Sequence, residues 1–182
     1  MKLVLASAST RRKEILTQFG YNFEVKESNA QELTEGLSPV ELAKSNAFIK
    51  ANSIFTNSLE DVVVLGADTI VVLNKEIIGK PKDQNDAIKI LSKLSGKVHQ
   101  VYTGYAIVSK DKKIISFDKT DVKFNLLDQE KIEKYVKEKN PLDKAGAYGI
   151  QDGYGLVDSY FGSLYNVIGL PIEKIKEDLS KF

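Results

Sequence analysis

Hydrophobic and polar positions change their spacing along the chain, and each change marks an expected helix or strand. The most apolar stretch is Val62–Val72 (VVVLGADTIVV), in which two β-branched runs flank the insert GADT at residues 66–69. Such runs predict buried strand. Burying a carboxylate in such a strand costs free energy unless a metal ion, a cationic side chain or backbone N–H groups pair with it. Asp68 is therefore either a paired buried carboxylate or part of a turn between two strands, because Asp is a common turn residue.

Helices are expected where apolar positions recur at helical spacing behind a capping residue. The clearest signal is Ser38, an N-cap residue followed by Pro39 and completed as a capping box by Glu41. The pattern predicts helices over residues 11–19, 39–55, 84–94, 129–139 and 171–180.

Shorter apolar runs predict strands at residues 2–6, 21–26, 76–79, 98–109, 114–117 and 120–126, besides the 62–72 stretch. Residues 70–79 are typical of a hairpin. Helices that alternate with strands and hairpins predict an α/β domain with a mixed sheet. The length of 182 residues fits one domain, or two small lobes that share a core.

Composition narrows the functional classes. Hydrophobic residues make up 42% and charged residues 28%, which is typical of a globular protein and not of a disordered one. A net charge of +1 argues against general electrostatic binding to nucleic acid. The absence of cysteine excludes disulfides, thiolate catalysis and cysteine-ligated zinc. His99 is the single histidine, which excludes multi-histidine metal sites and argues against a Ser-His-Asp hydrolase; we expect it in a sheet or at the surface.

Targeting signals are also lacking. The apolar run at the N-terminus is too short for a secretory signal and passes directly into Arg11-Arg12-Lys13. No stretch approaches the ~20 apolar residues of a membrane-spanning helix. We therefore expect a cytoplasmic protein that has no membrane partner.

The first strand and helix are joined by a hydroxyl-rich turn that includes Ser7, and Arg11 and Arg12 stand at the helix start. Free N–H groups, the positive helix end and two guanidinium groups suit a phosphate ligand. Ser9 or Thr10 can cap the helix. The alternative is a capped helix with solvated arginines.

Lys50 falls on one face of its predicted helix together with Ala43, Ala47 and Ile54. A lysine on such a small and apolar stripe has two outcomes. Its stem can lie along the apolar surface with the charge at the edge in water, which is the commoner outcome, or the charge can point into a pocket.

The remaining unusual polar positions are Lys80, between Gly79 and Pro81, and Gln151, after a Gly-rich loop. Lys80, Arg11, Arg12 and Lys50 make a cationic set around one carboxylate, and Gln151 is a neutral polar residue beside them. Phosphates prefer such cations, and hard divalent cations prefer carboxylate oxygen. The sequence therefore predicts a polyphosphate substrate with Mg²⁺ or Mn²⁺ held by Asp68 and Glu32.

Several ordered motifs make the chain resemble the Maf family of nucleoside triphosphate pyrophosphatases over nearly its whole length. The resemblance implies an elongated mixed sheet flanked by helices, two lobes around a central groove within one domain, and a fold similar to that of the inosine triphosphate pyrophosphatases. The motifs are LASASTRRKEIL (5–16), the segment 47–51, GADTIV (66–71), GKP (79–81), LSGKVHQVYTG (94–104), DKAGAYGIQ (143–151) and YNVIGLP (165–171).

By this resemblance the reaction converts a nucleoside triphosphate into the monophosphate and pyrophosphate. Asp68 matches the family's proton acceptor. GADT with Ile150-Gln151 is similar to the branch that acts on dTTP and UTP. The specificity positions are matched by Arg11, Thr69 and Gln151, and other pocket positions by Ser7, Arg12, Glu32, Lys50 and Lys80.

Two positions depart from the family pattern. Thr10 stands where the family usually has Pro, and Asp152 stands where it usually has Gly, which puts a negative charge beside Gln151. The resemblance also implies a homodimer. Two other hypotheses are a nucleotide-binding regulator of septum formation without turnover, and a phosphatase that releases single phosphates.

Overall fold

The computed structural model describes residues 2–58 and 61–182 and has the predicted α/β class. None of the helices in these two ranges has the length and apolar character that crossing a membrane requires. The strands are β1 (Lys2–Leu5), β2 (Phe23–Val25), β3 (Val62–Leu73), β4 (Glu76–Ile78), β5 (Val98–Val108), β6 (Lys113–Phe124) and β7 (Val157–Phe161). The helices are α1 (Thr10–Gln18), α2 (Pro39–Thr56), α3 (Gln84–Leu94), α4 (Gln129–Lys139), α5 (Leu164–Ile168) and α6 (Ile172–Leu179), with short 3₁₀ turns at Ala145–Ala147 and Ile150–Asp152.

The seven strands form one mixed sheet, as the sequence predicts. Its order is β2-β1-β3-β5-β6-β7, and β4 pairs with β3. β1 is parallel to both β2 and β3, whereas β3–β4 and β6–β7 are antiparallel pairs.

β3 runs without a break from Val62 to Leu73, so the interpretation of residues 66–69 as a turn between two strands is wrong. β6 is likewise one strand of 12 residues where two were expected. β7 and α5 were not predicted. β7 is almost entirely exposed and does not alternate, and α5 has five residues, too few to show a helical period.

The chain divides into two compact units. Unit 1 comprises residues 1–69, 102–118 and 165–182, and unit 2 comprises residues 70–101 and 119–164. In unit 1, buried side chains of α1 and α6 pack with one set of strand residues, among them Leu65 and Ala67. Ala47 and Ala51 of α2 pack with the alternate set, among them Val64. Alternate residues of a strand face opposite sides, so α2 covers the other face of the sheet.

Two glycines let α2 approach the sheet at backbone distance. A Cβ on Gly66 of β3 would lie 2.3 Å from the carbonyl oxygen of Ala47, and a Cβ on Gly104 of β5 would lie 2.4 Å from the carbonyl carbon of Ala43. The facing residues of α2, Ala43, Ala47 and Ala51, are fully buried. Ala43 and Ala47 of the predicted stripe thus lie on the sheet, together with Ala51, which was not part of that stripe, and their close approach places Lys50 near β3.

Unit 2 is built around α3, which packs on α4, and around aromatic residues of β5, β6 and the loop after α4. His99 of β5 is fully buried and makes a 2.8 Å hydrogen bond through Nε2 with the Tyr148 hydroxyl. Its ring lies edge-on to those of Phe124 and Tyr148. His99 is therefore a core residue of the sheet.

Burial gives His99 a measurable effect on stability. Burial lowers the pKa of His99 from 6.5 to about 4. Between these values the unfolded chain binds a proton that the folded chain does not, so the free energy of unfolding should fall as the pH is lowered from about 6.5 toward 4. Denaturant titrations across this range should show a shallower pH dependence for His99→Gln than for the parent protein. Equal slopes would contradict a buried neutral His99, because they would mean that the folded and unfolded chains bind its proton over the same pH range.

Candidate active site

The first group of candidate residues lies beside the carboxyl end of β1, where its pairing with β3 stops. Leu5, the last residue of β1, pairs in parallel register with Leu65 of β3. β3 then continues through Asp68 and Thr69, while the chain leaves β1 for α1. The carboxyl end of parallel strands is where open α/β sheets bind ligands.

On the α2 face of β3, Asp68 forms an ion pair with Lys50. The Lys50 ammonium lies 2.7 Å from Asp68 Oδ1 and 3.2 Å from Glu32 Oε1. The side chains of Lys50 and Asp68 are only 13% and 14% exposed, whereas that of Glu32 is 47% exposed. The expected commoner outcome, a solvated lysine, is therefore wrong. The Lys50 charge points inward and neutralises the carboxylate that interrupts the apolar strand.

Asn46 connects this group to the loop that carries Glu32. Its side-chain amide donates to Asp68 Oδ2 at 3.4 Å and to the Leu33 carbonyl at 3.0 Å, and its Oδ1 accepts from the Leu33 N–H at 2.8 Å. Asn46 is 3% exposed. Sequence reasoning missed this residue. The feature that could have identified it is a polar side chain one helical turn before Lys50, on the buried face of the helix.

On the other face of β3, the Arg12 guanidinium joins three segments. Nε donates to the Gly169 carbonyl at 2.8 Å, one terminal nitrogen donates to Ser7 Oγ at 3.2 Å, and the other donates to Thr69 Oγ1 at 3.1 Å. Burial lowers the pKa of Arg12 below its ordinary value, and the charges of Asp68 and Glu32 act in the opposite direction. All three acceptors are uncharged, and two of the five guanidinium hydrogens remain for a ligand.

The helix start that carries Arg12 is built as the sequence predicts. Ser9 is the N-cap of α1 and its hydroxyl accepts from the Arg12 N–H, and Thr10 is the first helical residue where the family usually has Pro. Ser7 is 7% exposed, and its hydroxyl accepts from the Ser9 N–H at 3.2 Å. Arg11 is half-buried in the first turn. The turn and the helix start thus hold Arg12 against β3.

Thr69 is held by two fully buried residues that sequence reasoning missed. Its hydroxyl lies 3.0 Å from that of Thr103 in β5. The Thr103 hydroxyl donates to the Asn166 carbonyl at 2.8 Å, and the Thr103 N–H donates to Asn166 Oδ1 at 3.1 Å. Both residues lie inside the quoted motifs LSGKVHQVYTG and YNVIGLP, which was the signal available.

Gly169 completes this side of the site. It has φ of +122°, and a Cβ there would lie 3.3 Å from Thr69 Oγ1 and 3.6 Å from Arg12 Nε. A side chain would therefore be strained and would crowd the Arg12 hydrogen bonds. The backbone approaches Arg12 closely because this position is glycine.

Lys80 and Gln151 belong to unit 2, and both are exposed. The loop that carries Lys80 is tied to the Gly-rich loop before Gln151, because the Gly146 N–H donates to the Gly79 carbonyl at 3.1 Å. Gly146 has φ of +71°, and a Cβ there would lie 3.0 Å from the Val71 side chain. These two predicted site residues are therefore on loops that unit 2 holds together.

Asp152, the departure beside Gln151, has a partner. Its Oδ2 accepts from the Tyr135 hydroxyl at 2.6 Å, and that hydroxyl accepts from the Gly149 N–H at 2.9 Å. Burial raises the pKa of Tyr135, and the hydrogen bond to Asp152 adds to the rise. The negative charge thus serves to fix the 3₁₀ turn at Ile150–Asp152.

A divalent cation fits this donor set only together with a substrate. Residues 2–58 and 61–182 contain no group of three or more carboxylate, histidine or cysteine side chains arranged for a metal ion. Asp68 and Glu32 nevertheless both contact one ammonium nitrogen, that of Lys50, at 2.7 and 3.2 Å. Mg²⁺ is commonly held by one or two carboxylates with water and substrate phosphates, so this pair suits it.

Comparisons with known proteins show which family the chain is similar to. The family model described as "Maf-like protein" matches residues 2–182. A dTTP/UTP pyrophosphatase of Bacillus thuringiensis subsp. konkukian (strain 97-27) is 44% identical over 183 residues, covering 100% of this chain and 95% of the relative. A dTTP/UTP pyrophosphatase of Clostridioides difficile (strain 630) is 44% identical over 187 residues, with the same two shares.

Among solved structures, a HAM1 protein from Coxiella burnetii superimposes with a TM-score of 0.50 at 15% identity and covers 100% of both chains. That similarity concerns the fold alone. The family model and the full-length relatives carry the assignment, and on them the chain belongs to the Maf family.

Proposed function

We propose that the protein hydrolyses dTTP and UTP to the nucleoside monophosphate and pyrophosphate. The observation that carries the proposal is the placement of Asp68 on β3 just beyond the end of β1. Asp68 is paired with Lys50 on one side and is adjacent to the Arg12–Thr69 contact on the other. The names and full-length coverage of the 44% identical relatives supply the substrate pair.

In the proposed reaction, Asp68 accepts a proton from the water that attacks the α-phosphorus. The bond between the α-phosphorus and the bridging oxygen breaks, and pyrophosphate leaves with the bonding electrons. Lys50 and the two unused hydrogens of Arg12 stabilise the negative charge that develops on the phosphate oxygens. Lys80 and the Ser7 turn are further phosphate contacts in this proposal.

Asp68 and Glu32 are the residues that would hold Mg²⁺ or Mn²⁺. When bound, such a cation supplies Lewis-acid polarisation of the phosphates and neutralises part of their charge. The chain already holds the two carboxylates in place without it, Glu32 through the Asn46 contacts to its loop and Asp68 through β3.

The base is assigned to Thr69, Arg11 and Gln151. Thymine and uracil present the same edge, an N3–H donor between two carbonyl acceptors, and a hydroxyl, a guanidinium and an amide can match it. We further propose a cytoplasmic homodimer that has neither nucleic acid nor membrane as a partner.

The test is a panel of ribo- and deoxynucleoside triphosphates incubated with the protein and Mg²⁺ or Mn²⁺, with products identified by chromatography. We expect monophosphate and pyrophosphate, formed fastest from dTTP and UTP. Saturable binding without product would support the nucleotide-binding regulator instead. Diphosphate as the first product would identify a phosphatase.

A further inference from the structure

We infer that Thr103 and Asn166 are positioning residues that fix the direction of the hydrogen bonds at Thr69, so that Thr69 offers its substrate an acceptor and never a donor. The inference rests on the proposed function, in which Thr69 contacts the base. It adds two points to that function. One is the group on the base to which Thr69 hydrogen-bonds, and the other is the pair of residues that allow Thr69 only to accept in that bond.

The direction follows from counting hydrogens. A hydroxyl has one hydrogen and two lone pairs, and a carbonyl oxygen only accepts. The Thr103 hydroxyl uses its hydrogen on the Asn166 carbonyl at 2.8 Å. In the 3.0 Å contact between the two hydroxyls, Thr69 must therefore be the donor.

Arg12 takes one of the two lone pairs that remain on Thr69. Its terminal nitrogen donates to Thr69 Oγ1 at 3.1 Å, and a guanidinium cannot accept. The Thr69 hydroxyl then has one unused lone pair and no unused hydrogen. Thr69 is half-buried, whereas Thr103 and Asn166 are fully buried, so Thr69 is the member of this chain of hydrogen bonds that a ligand can reach.

An acceptor at this point selects a donor on the substrate. At position 3 of the ring, uracil and thymine carry N–H, whereas cytosine carries a nitrogen lone pair that would face the Thr69 lone pair. A site built for a donor rejects an analogue that lacks it, because a buried polar group is left unpaired. The same acceptor serves dTTP and UTP alike, which accounts for one site taking both.

Thr103 can also be read as a purely structural contact between β5 and the segment after β7. Its backbone N–H already bonds Asn166 Oδ1 at 3.1 Å, and that bond would survive loss of the hydroxyl. A structural role predicts that losing the hydroxyl affects every substrate in proportion. The two roles of Thr103 therefore predict different changes in substrate preference when the hydroxyl is lost, whereas both allow a loss of stability.

The test compares kcat/KM for UTP and CTP in Thr103→Val, with Thr103→Ser as the matched control. We expect the UTP preference to fall roughly 10-fold in Thr103→Val, the equivalent of one mispaired hydrogen bond, because the freed Thr69 hydrogen can then face the cytosine nitrogen. Thr103→Ser should keep the parent preference. CTP also differs from UTP at position 4, but that difference is the same for every variant.

The ratio of the two kcat/KM values does not depend on the folded fraction, because both substrates are assayed with the same preparation. Should Thr103→Val yield no folded protein, Thr69→Val removes the acceptor itself and should reduce the same preference. An unchanged preference in either soluble variant would overturn the inference. Failure of the parent protein to release pyrophosphate from UTP or dTTP would instead overturn the proposed function.

Discussion

Replacing Asp68 with asparagine should reduce pyrophosphate release from dTTP and UTP by about 10²–10⁴-fold, the contribution typical of a general base. Asn keeps the shape of Asp but cannot take a proton from water. The substitution also removes the charge 2.7 Å from Lys50, leaving that ammonium with Glu32 at 3.2 Å. Steady-state kinetics on both substrates would measure the loss, mainly in kcat.

Glu32→Gln is the matched control for this substitution. Glu32 shares the Lys50 contact and the proposed cation, but only Asp68 is the proposed proton acceptor. Glu32→Gln should therefore raise the Mg²⁺ concentration needed for activity, and at saturating Mg²⁺ it should cost far less turnover than Asp68→Asn. Circular dichroism and thermal unfolding should show that Asp68→Asn keeps the fold. Near-normal turnover in a folded Asp68→Asn protein would refute the role of Asp68 as the base.

Replacing Gly66 with alanine should lower the free energy of unfolding by about 2–4 kcal/mol, in the range of severe overpacking. The new Cβ would lie 2.3 Å from the Ala47 carbonyl oxygen and 2.8 Å from the Ala51 nitrogen. Both are backbone atoms of α2, so no side-chain rotation can relieve the contact. α2 must move away from β3 as a whole.

Denaturant titration of Gly66→Ala beside Gly79→Ala would isolate this effect. A Cβ at Gly79 would meet nothing within 4 Å, so Gly79→Ala should change stability by less than about 1 kcal/mol. Similar midpoints for the two variants would contradict the close approach of α2. A lower kcat for Gly66→Ala at full folding is also expected, because α2 carries Lys50.

Local signals were sufficient for most of the fold. The N-caps Ser9, Ser38, Asp83 and Asp128 lie just before the starts of four predicted helices, and the side chain of each accepts from the backbone N–H three residues on. What local signals could not supply was the continuity of β3 through GADT. The sequence of a polar insert in an apolar run is compatible with a turn and with a continuous strand. The strand is possible here because Lys50 of α2 pairs with the Asp68 carboxylate.

The candidate residues named from the sequence are the charged ones and the uncharged Ser7, Thr69 and Gln151, but not the buried Asn46, Thr103 and Asn166. Charges in apolar surroundings stand out in a sequence, so Asp68, Lys50 and Arg12 were identified. Asn46, Thr103 and Asn166 acquire their roles from partners far away in the chain, such as Thr103 and Asn166 at a separation of 63 residues. Hydrogen-bond direction of this kind is a property of tertiary contacts.

Asp68 and Thr69 are neighbours in sequence but face opposite sides of β3, one toward Lys50 of α2 and the other toward Arg12 of α1. For protein engineering this means that the two sides can be varied separately. A library at Thr69 and Thr103 would sample new base preferences while the α2 side stays intact. Because the two faces of β3 carry different groups, the base-binding side can be changed to design enzymes for other nucleotides.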